Sequence, residues 1–261
     1  MNVLILTASF RTKGNTSRIL DRLTDRLTGL CAQQGMDIHI QQINLADINL
    51  TYCHGCRVCF DRGETHCPFW NEIGPVKTAL QAADVWIFSS PVYVDDVSGI
   101  MKSFLDRMAH VNHRPEFAGK YAFLLTTSGA GSSGHAARTL ANTLRTWGVY
   151  IIGQKDFIAG ALSTPDELNK RFNKNIDRIA AKIVESFRNE KALTPSIVSM
   201  IFFKVQQALW QRNKEDSIDY HYWESKGWLK PGVTWYIPHK ANPLTVLLGR
   251  LTGSVIARFF E

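Results

Sequence analysis

The sequence predicts an α/β fold, a doubly wound five-stranded parallel sheet followed by a C-terminal extension. Three observations carry that expectation. Short apolar runs bounded by turn residues alternate with amphipathic stretches from the N-terminus to about residue 190. The chain has 261 residues, 45% of them hydrophobic, enough for one large core. From about Thr194 the alternation stops, and "DYHYWESKGWLKPGVTWY" crowds aromatic residues and Gly/Pro turns into a short span. The chain is therefore divided into a sheet domain over 1–192 and a partly helical extension over 193–261.

The elements follow in order. "NVLILTAS" reads as the first strand; it has neither the charged leader nor the long apolar segment of a signal peptide. "TSRILDRLTDRLTGLCAQQG" follows as a helix, with Ile19, Leu20, Leu23, Leu27, Leu30 and Cys31 at three- and four-residue steps on one face. That places Cys31 in the core, not in chemistry. "DIHIQQINL" is the second strand, "VKTALQAAD" a helix and "VWIFSSP" the third strand. "GIMKSFLDRMAH" is a helix capped by Ser98, and "YAFLLTTS" is the fourth strand. "HAARTLANTLRTW" is a helix, "VYIIGQKDF" the fifth strand and "PDELNKRFNKNIDRIAAKIVESFRNEK" a long final helix. This is the rhythm of a flavodoxin-like sheet, which binds its ligand at the loops beyond the carboxyl ends of the strands.

Charge and apolar runs narrow the function classes. A formal charge of +7 and a pI near 9.2 favour anionic partners. The chain lacks a zinc-finger histidine pair, a basic helix run and the aromatic signature of an RNA-binding sheet, so nucleic acid is not expected as a partner. The longest apolar stretch, Ile197 to Phe203, falls short of the roughly 20 residues that span a bilayer. A soluble cytoplasmic protein is expected.

Three loops carry candidate chemistry. "SFRTKGNTS", from Ser9 to Ser17, leads into the first helix and brings hydroxyls, an Arg, a Gly and an Asn to a helix N-terminus. Side-chain donors, free backbone N–H groups and the positive end of the helix dipole make a cradle for one terminal phosphate. An ordinary helix cap by Asn15 or Thr16 is the plainer alternative. "SSPVYVDDVSGIMKSFLDR", after the third strand, puts Pro91 and Tyr93 at a strand tip, where a flat ring would lie against the tyrosine. "TTSGAGSSGHAAR" matches G-x-G-x-x-G through Gly129, Gly131 and Gly134, with Asp156 about twenty residues on. A dinucleotide fingerprint normally follows the first strand of a sheet, however, and here the first strand has its own phosphate loop. The favoured reading is a loop whose backbone approaches the edge of a bound ring.

Four of the five cysteines fall in "CHGCRVCFDRGETHC". C-x2-C-x2-C puts Cys53, Cys56 and Cys59 on one tight loop, and seven further residues let Cys67 turn back as a fourth thiol. An odd total crowded into one segment suits a reducing compartment and ligand cysteines better than disulfides. A four-iron four-sulfur (4Fe-4S) cluster is the preferred occupant. Zinc, which favours two separated knuckles, comes behind a metal-free loop of thiols or a reversible disulfide. His54 and His66 flank the cysteines and read as solvent-facing loop residues before alternate ligands.

Taken together, "SFRTKGNTS", "CHGCRVC" followed by Cys67, and "SPVYVDDVSGIMKSFLDR" resemble, in the same order, the marker segments of the NADPH-dependent FMN reductase and iron-sulfur flavoprotein family. The resemblance covers about Met1 to Phe157. It implies that Ser9, Arg11, Asn15, Thr16 and Ser17 bind the FMN phosphate, that Pro91, Val92 and Tyr93 line the isoalloxazine, and that Ser128, Gly129 and Gly131 border it. It also points to a 4Fe-4S cluster on the four cysteines. Two departures stand out: Phe10 replaces a proline, and Asp95 and Asp96 stand where relatives often carry Gly, bringing two carboxylates toward the ring.

The function expected is an FMN-dependent oxidoreductase, reduced by NAD(P)H and passing electrons to a small acceptor such as a quinone, a nitro compound or a flavin. No side chain is nominated as a catalytic acid or base. The alternative is an electron carrier serving a ferredoxin-like partner; a third is a non-enzymatic module with a zinc loop. The resemblance also suggests a homo-oligomer. In the extension, "SIVSMIFFKVQQALW" and "NPLTVLLGRLTGSVIARFF" are amphipathic; packing on their own domain or a dimer mate is preferred over membrane contact.

Overall fold

The computed structural model describes residues 1–131, 134–160, 163–189, 194–214 and 216–260. The expected boundary at 192/193 lies outside the described residues. Five parallel strands form the sheet: β1 (Asn2–Thr7), β2 (His39–Asn44), β3 (Val85–Tyr93), β5 (Tyr121–Ser128) and β6 (Tyr150–Ile158), in the order β2-β1-β3-β5-β6. A two-residue strand, β4 (Asp96–Val97), returns antiparallel onto the tip of β3. The order reverses at β1, between β2 and β3, where doubly wound sheets bind their ligands.

Alternation along each strand divides the core into two layers. Leu4 and Leu6 of β1, Trp86 and Phe88 of β3, and Leu124 of β5 face one way. They meet Ile73, Val76 and Leu80 of helix α3 (Trp70–Ala82), Met101 and Phe104 of α4 (Gly99–Arg107), and Leu140 and Leu144 of α6 (Gly134–Thr146). Val3, Ile5, Val85, Ile87 and Phe123 face the other way, toward α1 (Asn15–Gln33) and α7 (Pro165–Arg188). Cys31 is fully buried in this second layer, as its place on the apolar face of α1 requires.

Helix α3 begins at Trp70, six residues before Val76, where the expected helix starts, and takes Gly74 and Pro75 into its first turns. Tertiary contacts hold those turns. Glu72 accepts from the backbone N–H and the hydroxyl of Thr51, each at 2.8 Å. The Trp70 ring folds back over Gly74, where an added Cβ would come within 2.9 Å of it.

The extension supplies α8 (Ile197–Arg212), α9 (Ile218–Ser225) and α10 (Pro243–Ala257). Its aromatic residues form a third cluster in which Met200, Phe203, Trp223, Trp228, Trp235 and Tyr236 are buried, with Ala118 of the sheet unit packed against them. Trp223 Nε1 donates to the His113 carbonyl at 2.7 Å, and the Tyr222 hydroxyl donates to the Pro115 carbonyl at 3.1 Å. His113 belongs to the short helix α5 (His110–His113), which the extension thereby clasps.

Candidate functional site

Because β1, β2, β3, β5 and β6 run parallel, the loops after their carboxyl ends share one rim. Ser9, Arg11, Asn15, Thr16, Pro91, Val92, Tyr93, Ser128 and Gly129 line a single cleft there, at the switch point where such sheets bind their ligands. Ser17 and Gly131 do not line it. Gly14, Thr127, Ala159 and Gly160 do, and sequence reasoning missed them.

The first loop is wound around the Arg11 carbonyl, which accepts from the Gly14 N–H at 3.1 Å and the Ser17 hydroxyl at 3.2 Å. A Cβ at Gly14 would meet Arg11 Cβ at 3.0 Å, so glycine permits the tight winding. Asn15 and Thr16 do not cap α1. Its N-cap is Gly14, and no side chain caps the helix. Asn15 Nδ2 instead donates to the Gly160 carbonyl at 2.7 Å, and the Thr16 and Thr127 hydroxyls lie 2.6 Å apart, tying α1 to the loop after β6 and to β5. The helix therefore presents uncapped N–H groups and the positive end of its dipole to the cleft, beside the Arg11 side chain.

At the β3 tip, Val94 and Asp95 both have positive φ (48° and 65°), forming the two-residue turn between β3 and β4. Turns of this kind favour Gly, Asn or Asp. Asp95 is exposed, and Asp96 Oδ1 accepts from the Val97 N–H at 2.7 Å. Neither carboxylate lines the cleft, although both were expected near the ring. Ser98 occupies the N-cap position of α4 without making the expected side-chain cap; its hydroxyl donates to the Ala8 carbonyl at 3.0 Å and so joins the start of α4 to the end of β1. Asp156 takes the Thr126 hydroxyl at 3.3 Å across the β5–β6 pair, a place within the sheet. Residues 132–133 of the Gly-rich loop lie outside the described residues.

Cys53, Cys56, Cys59 and Cys67 line a second pocket with His54, Phe69, Trp70, Arg107 and His110. Positive φ at Gly55 (65°), Arg57 (62°) and Gly63 (97°) folds the loop back on itself around the short helix α2 (Val58–Asp61). Cys53 and Cys56 are exposed, while Cys59 and Cys67 are partly buried. Burial raises the Cys59 thiol above its ordinary range, and the neighbouring Cys53 and Cys67 raise it further. His54 and His66 are both exposed, as expected.

Buried charge holds this loop from beneath. Arg107 donates to the Thr51 carbonyl at 2.8 Å, Glu72 at 3.0 Å and the Phe69 carbonyl at 2.6 Å, with its Nη2 at 3.9 Å from Cys67 Sγ. Lys77 Nζ lies 2.7 Å from Glu64 and 2.6 Å from Glu116. Burial works to raise the Glu64 pKa, but the hydrogen bond and charge of Lys77 win and hold it at about 2. Glu64, His110 and Glu116 have the spacing of metal ligands, yet the Lys77 ammonium already serves as cation to both carboxylates. His110 is driven down to about 3, first by burial and then by Lys77.

The profile of the NADPH-dependent FMN reductase family matches residues 1–162. The chain belongs to this family. An iron-sulfur flavoprotein of Archaeoglobus fulgidus is 26% identical over 234 residues, covering 88% of this chain and 100% of the relative. An iron-sulfur flavoprotein of Clostridioides difficile is 25% identical over 77% of this chain and 85% of its own. The solved structure of an FMN-dependent NADH-azoreductase from Bacillus anthracis superposes with a TM-score of 0.52 at 13% identity, covering 70% of this chain and 99% of that one, a likeness of fold alone. As a member of the FMN reductase family, the protein is an FMN-dependent oxidoreductase that uses NAD(P)H.

The cleft fits FMN on its own geometry. Ser128 Oγ is buried without a hydrogen-bond partner at the cleft wall, a vacancy that a ligand polar atom would fill. The uncapped start of α1 offers anion-binding N–H groups at the other side of the same cleft.

Proposed function

We propose that the protein is an iron-sulfur flavoprotein that oxidises NAD(P)H and delivers the electrons to a small acceptor such as a quinone, a nitro compound or a flavin. One observation carries this reading: nine of the eleven residues expected to hold FMN line one cleft, and the four cysteines line one pocket on the same rim. Asn44 at the end of β2 donates to the Ser9 carbonyl at 3.0 Å, joining the two loops at their base.

In this reading the N–H groups opening α1, together with Ser9, Arg11, Asn15, Thr16 and Ser17, hold the FMN phosphate. Pro91, Val92 and Tyr93 line the isoalloxazine, and Ser128, Gly129 and Gly131 border its edge. Bound FMN supplies two-electron acceptance and one- or two-electron release. The side chains bind and orient, and none is required as acid or base. Tyr93 is 45% exposed, which leaves that side of the cleft open to a planar substrate.

Cys53, Cys56, Cys59 and Cys67 are proposed as ligands of a 4Fe-4S cluster, which supplies single-electron transfer. The crowding of all four thiols on one loop supports a cluster over a single zinc ion, whose structural sites are usually built from two separated knuckles. The relatives' names, iron-sulfur flavoprotein, support the same ligand set.

Exposure of Cys53 and Cys56 favours a second reading, in which single electrons leave through this loop to a ferredoxin-like protein. Two measurements separate these readings. Protein purified without oxygen is assayed for flavin, iron and zinc; flavin with iron near four per chain is expected, and flavin without iron removes the cluster. NAD(P)H oxidation is then followed with a soluble quinone. Turnover supports the reductase, whereas no turnover together with rapid reduction by ferredoxin establishes the carrier.

A further inference from the structure

We infer that the outward face of helices α8 and α10 docks the protein on an anionic lipid bilayer. Helix α10 is fixed to the body by one side only. Gly249 lies against Met200 and Gly253 against Lys204, so α8 and α10 run parallel; a Cβ at either glycine would come 2.8 or 2.7 Å from the facing Cβ. Gly249, Gly253 and Ala257 are the buried residues of α10. Helix α8 is held in turn by Gln207, whose amide donates to the Trp228 carbonyl at 2.7 Å and the Val233 carbonyl at 3.1 Å.

The opposite side of α10 is apolar and open. Leu244, Leu247, Leu248, Leu251 and Val255 recur at three- and four-residue steps and are 44–62% exposed, and Phe259 just beyond them is 83% exposed. Ile197 and Val198 at the start of α8, 38% and 39% exposed, stand at the same end of the pair as Leu244. Soluble proteins rarely leave a continuous apolar stripe of this kind uncovered. By length and composition Pro243–Phe260 is long and apolar enough to cross a membrane, with 17% of it buried. Its glycine side is already committed to α8, so only the outer half is free to enter lipid, as in a helix lying in the plane of the interface.

Charge selects the occupant. Residues 194–214 and 240–260 contain Lys204, Arg212, Lys214, Lys240, Arg250 and Arg258, and no Asp or Glu. Counted with Glu215 and Glu261, which directly follow the two segments, they still carry six basic residues against two acidic ones. Lys204 is held below its ordinary pKa by burial and by Arg250 and Arg212, the mark of cations crowded together. A second copy of the chain would bring this cationic surface against itself. A bilayer containing anionic lipid satisfies the leucines and the cations together.

The test is co-sedimentation of the full-length, FMN-loaded protein with vesicles of phosphatidylcholine alone and of phosphatidylcholine with phosphatidylglycerol. The protein should pellet with the anionic vesicles far more than with the neutral ones, and raised salt should weaken the binding. Leu251→Glu should abolish pelleting, and Arg250→Gln should weaken it about fivefold. Leu251 is 57% exposed, so far-UV circular dichroism and FMN retention should match the wild type and separate lost docking from lost folding. Failure of the wild type to pellet with anionic vesicles overturns the inference, as does pelleting unchanged by Leu251→Glu. A wild-type dimer that Leu251→Glu converts to monomer, with no vesicle binding, assigns the face to a second copy instead.

Discussion

Arg114 donates to the backbone carbonyl of Cys59 at 2.7 Å, and its other Nη atom donates to Asp219 of α9. The same guanidinium reaches Glu64 at 3.2 Å. One buried cation thus joins the cysteine loop to the extension, shared between Glu64 and Asp219.

Replacing Arg114 with methionine keeps the length of the side chain and removes the charge. Breaking a buried ion pair from one side strands its partner, at about 3–5 kcal/mol. His113 Nδ1 lies 2.8 Å from Asp219, and Lys77 still serves Glu64, so the lower end is expected. Denaturant unfolding should show a loss of about 3 kcal/mol, and thiol alkylation of Cys59 should quicken as its carbonyl loses its tether. Unchanged stability together with unchanged labelling would show that the extension does not brace the loop.

Acid should destabilise the protein in two stages. His110 falls from an ordinary 6.5 to about 3, and Glu64 falls from 4.5 to about 2. In both cases the folded value is depressed, so the stability is complete above the ordinary value and is lost as pH falls toward the folded one. Between about pH 6.5 and 4.5, of these two groups only His110 contributes, costing about 2 kcal/mol across the window. Neither ring nitrogen of His110 has a hydrogen-bond partner, so leucine should be tolerated. Thermal unfolding of His110→Leu should lose much of the slope between pH 6.5 and 4.5 and keep the steeper fall below it.

The five strands, their order of appearance and the apolar face of α1 were legible because period-two and period-3.6 patterns are local. The cleft lined by the loop after β1 and the pocket that gathers the four cysteines were legible for the same reason, since each draws on a short run of residues with its own chemistry. Long-range partners were not. Arg114 and Asp219 lie 105 positions apart, and nothing beside either residue announces the other. Ala159 and Gly160 escaped because the fifth strand was ended at Phe157; Gly160, with φ of 58°, was the available turn signal. Ser98 was read correctly as a helix start and wrongly as its side-chain cap, because the competing acceptor, the Ala8 carbonyl, comes from another strand.

Val94 stores strain in the turn between β3 and β4. It is β-branched, has φ of 48° and is fully exposed, so no packing compensates its conformation. A non-glycine residue in the left-handed region costs about 1–2 kcal/mol. Val94→Gly should relieve part of this and offset it partly through unfolded-chain entropy, leaving a net gain of about 0.5–1 kcal/mol in chemical denaturation. A loss of stability would mean that the valine side chain makes a favourable contact.

Ser128 offers the most direct test of the flavin site, because its role differs with and without the cofactor. Its hydroxyl is buried and unpartnered in the cleft wall, an arrangement that costs stability until something accepts from it or donates to it. Ser128→Ala removes that cost from the apoprotein, so apoprotein stability should hold or rise slightly. In the holoprotein the same change removes a hydrogen bond to the ligand worth about 1 kcal/mol, which predicts FMN binding weaker by about five- to tenfold. Arg11→Gln should also weaken FMN binding, but its loss should shrink as salt rises, since Arg11 is exposed and acts through charge. The Ser128→Ala loss should be nearly independent of salt. Titration of apoprotein with FMN at two ionic strengths reads both effects. Equal affinities for wild type and Ser128→Ala would place the flavin away from β5, and equal salt dependence for the two variants would remove Arg11 from the phosphate site.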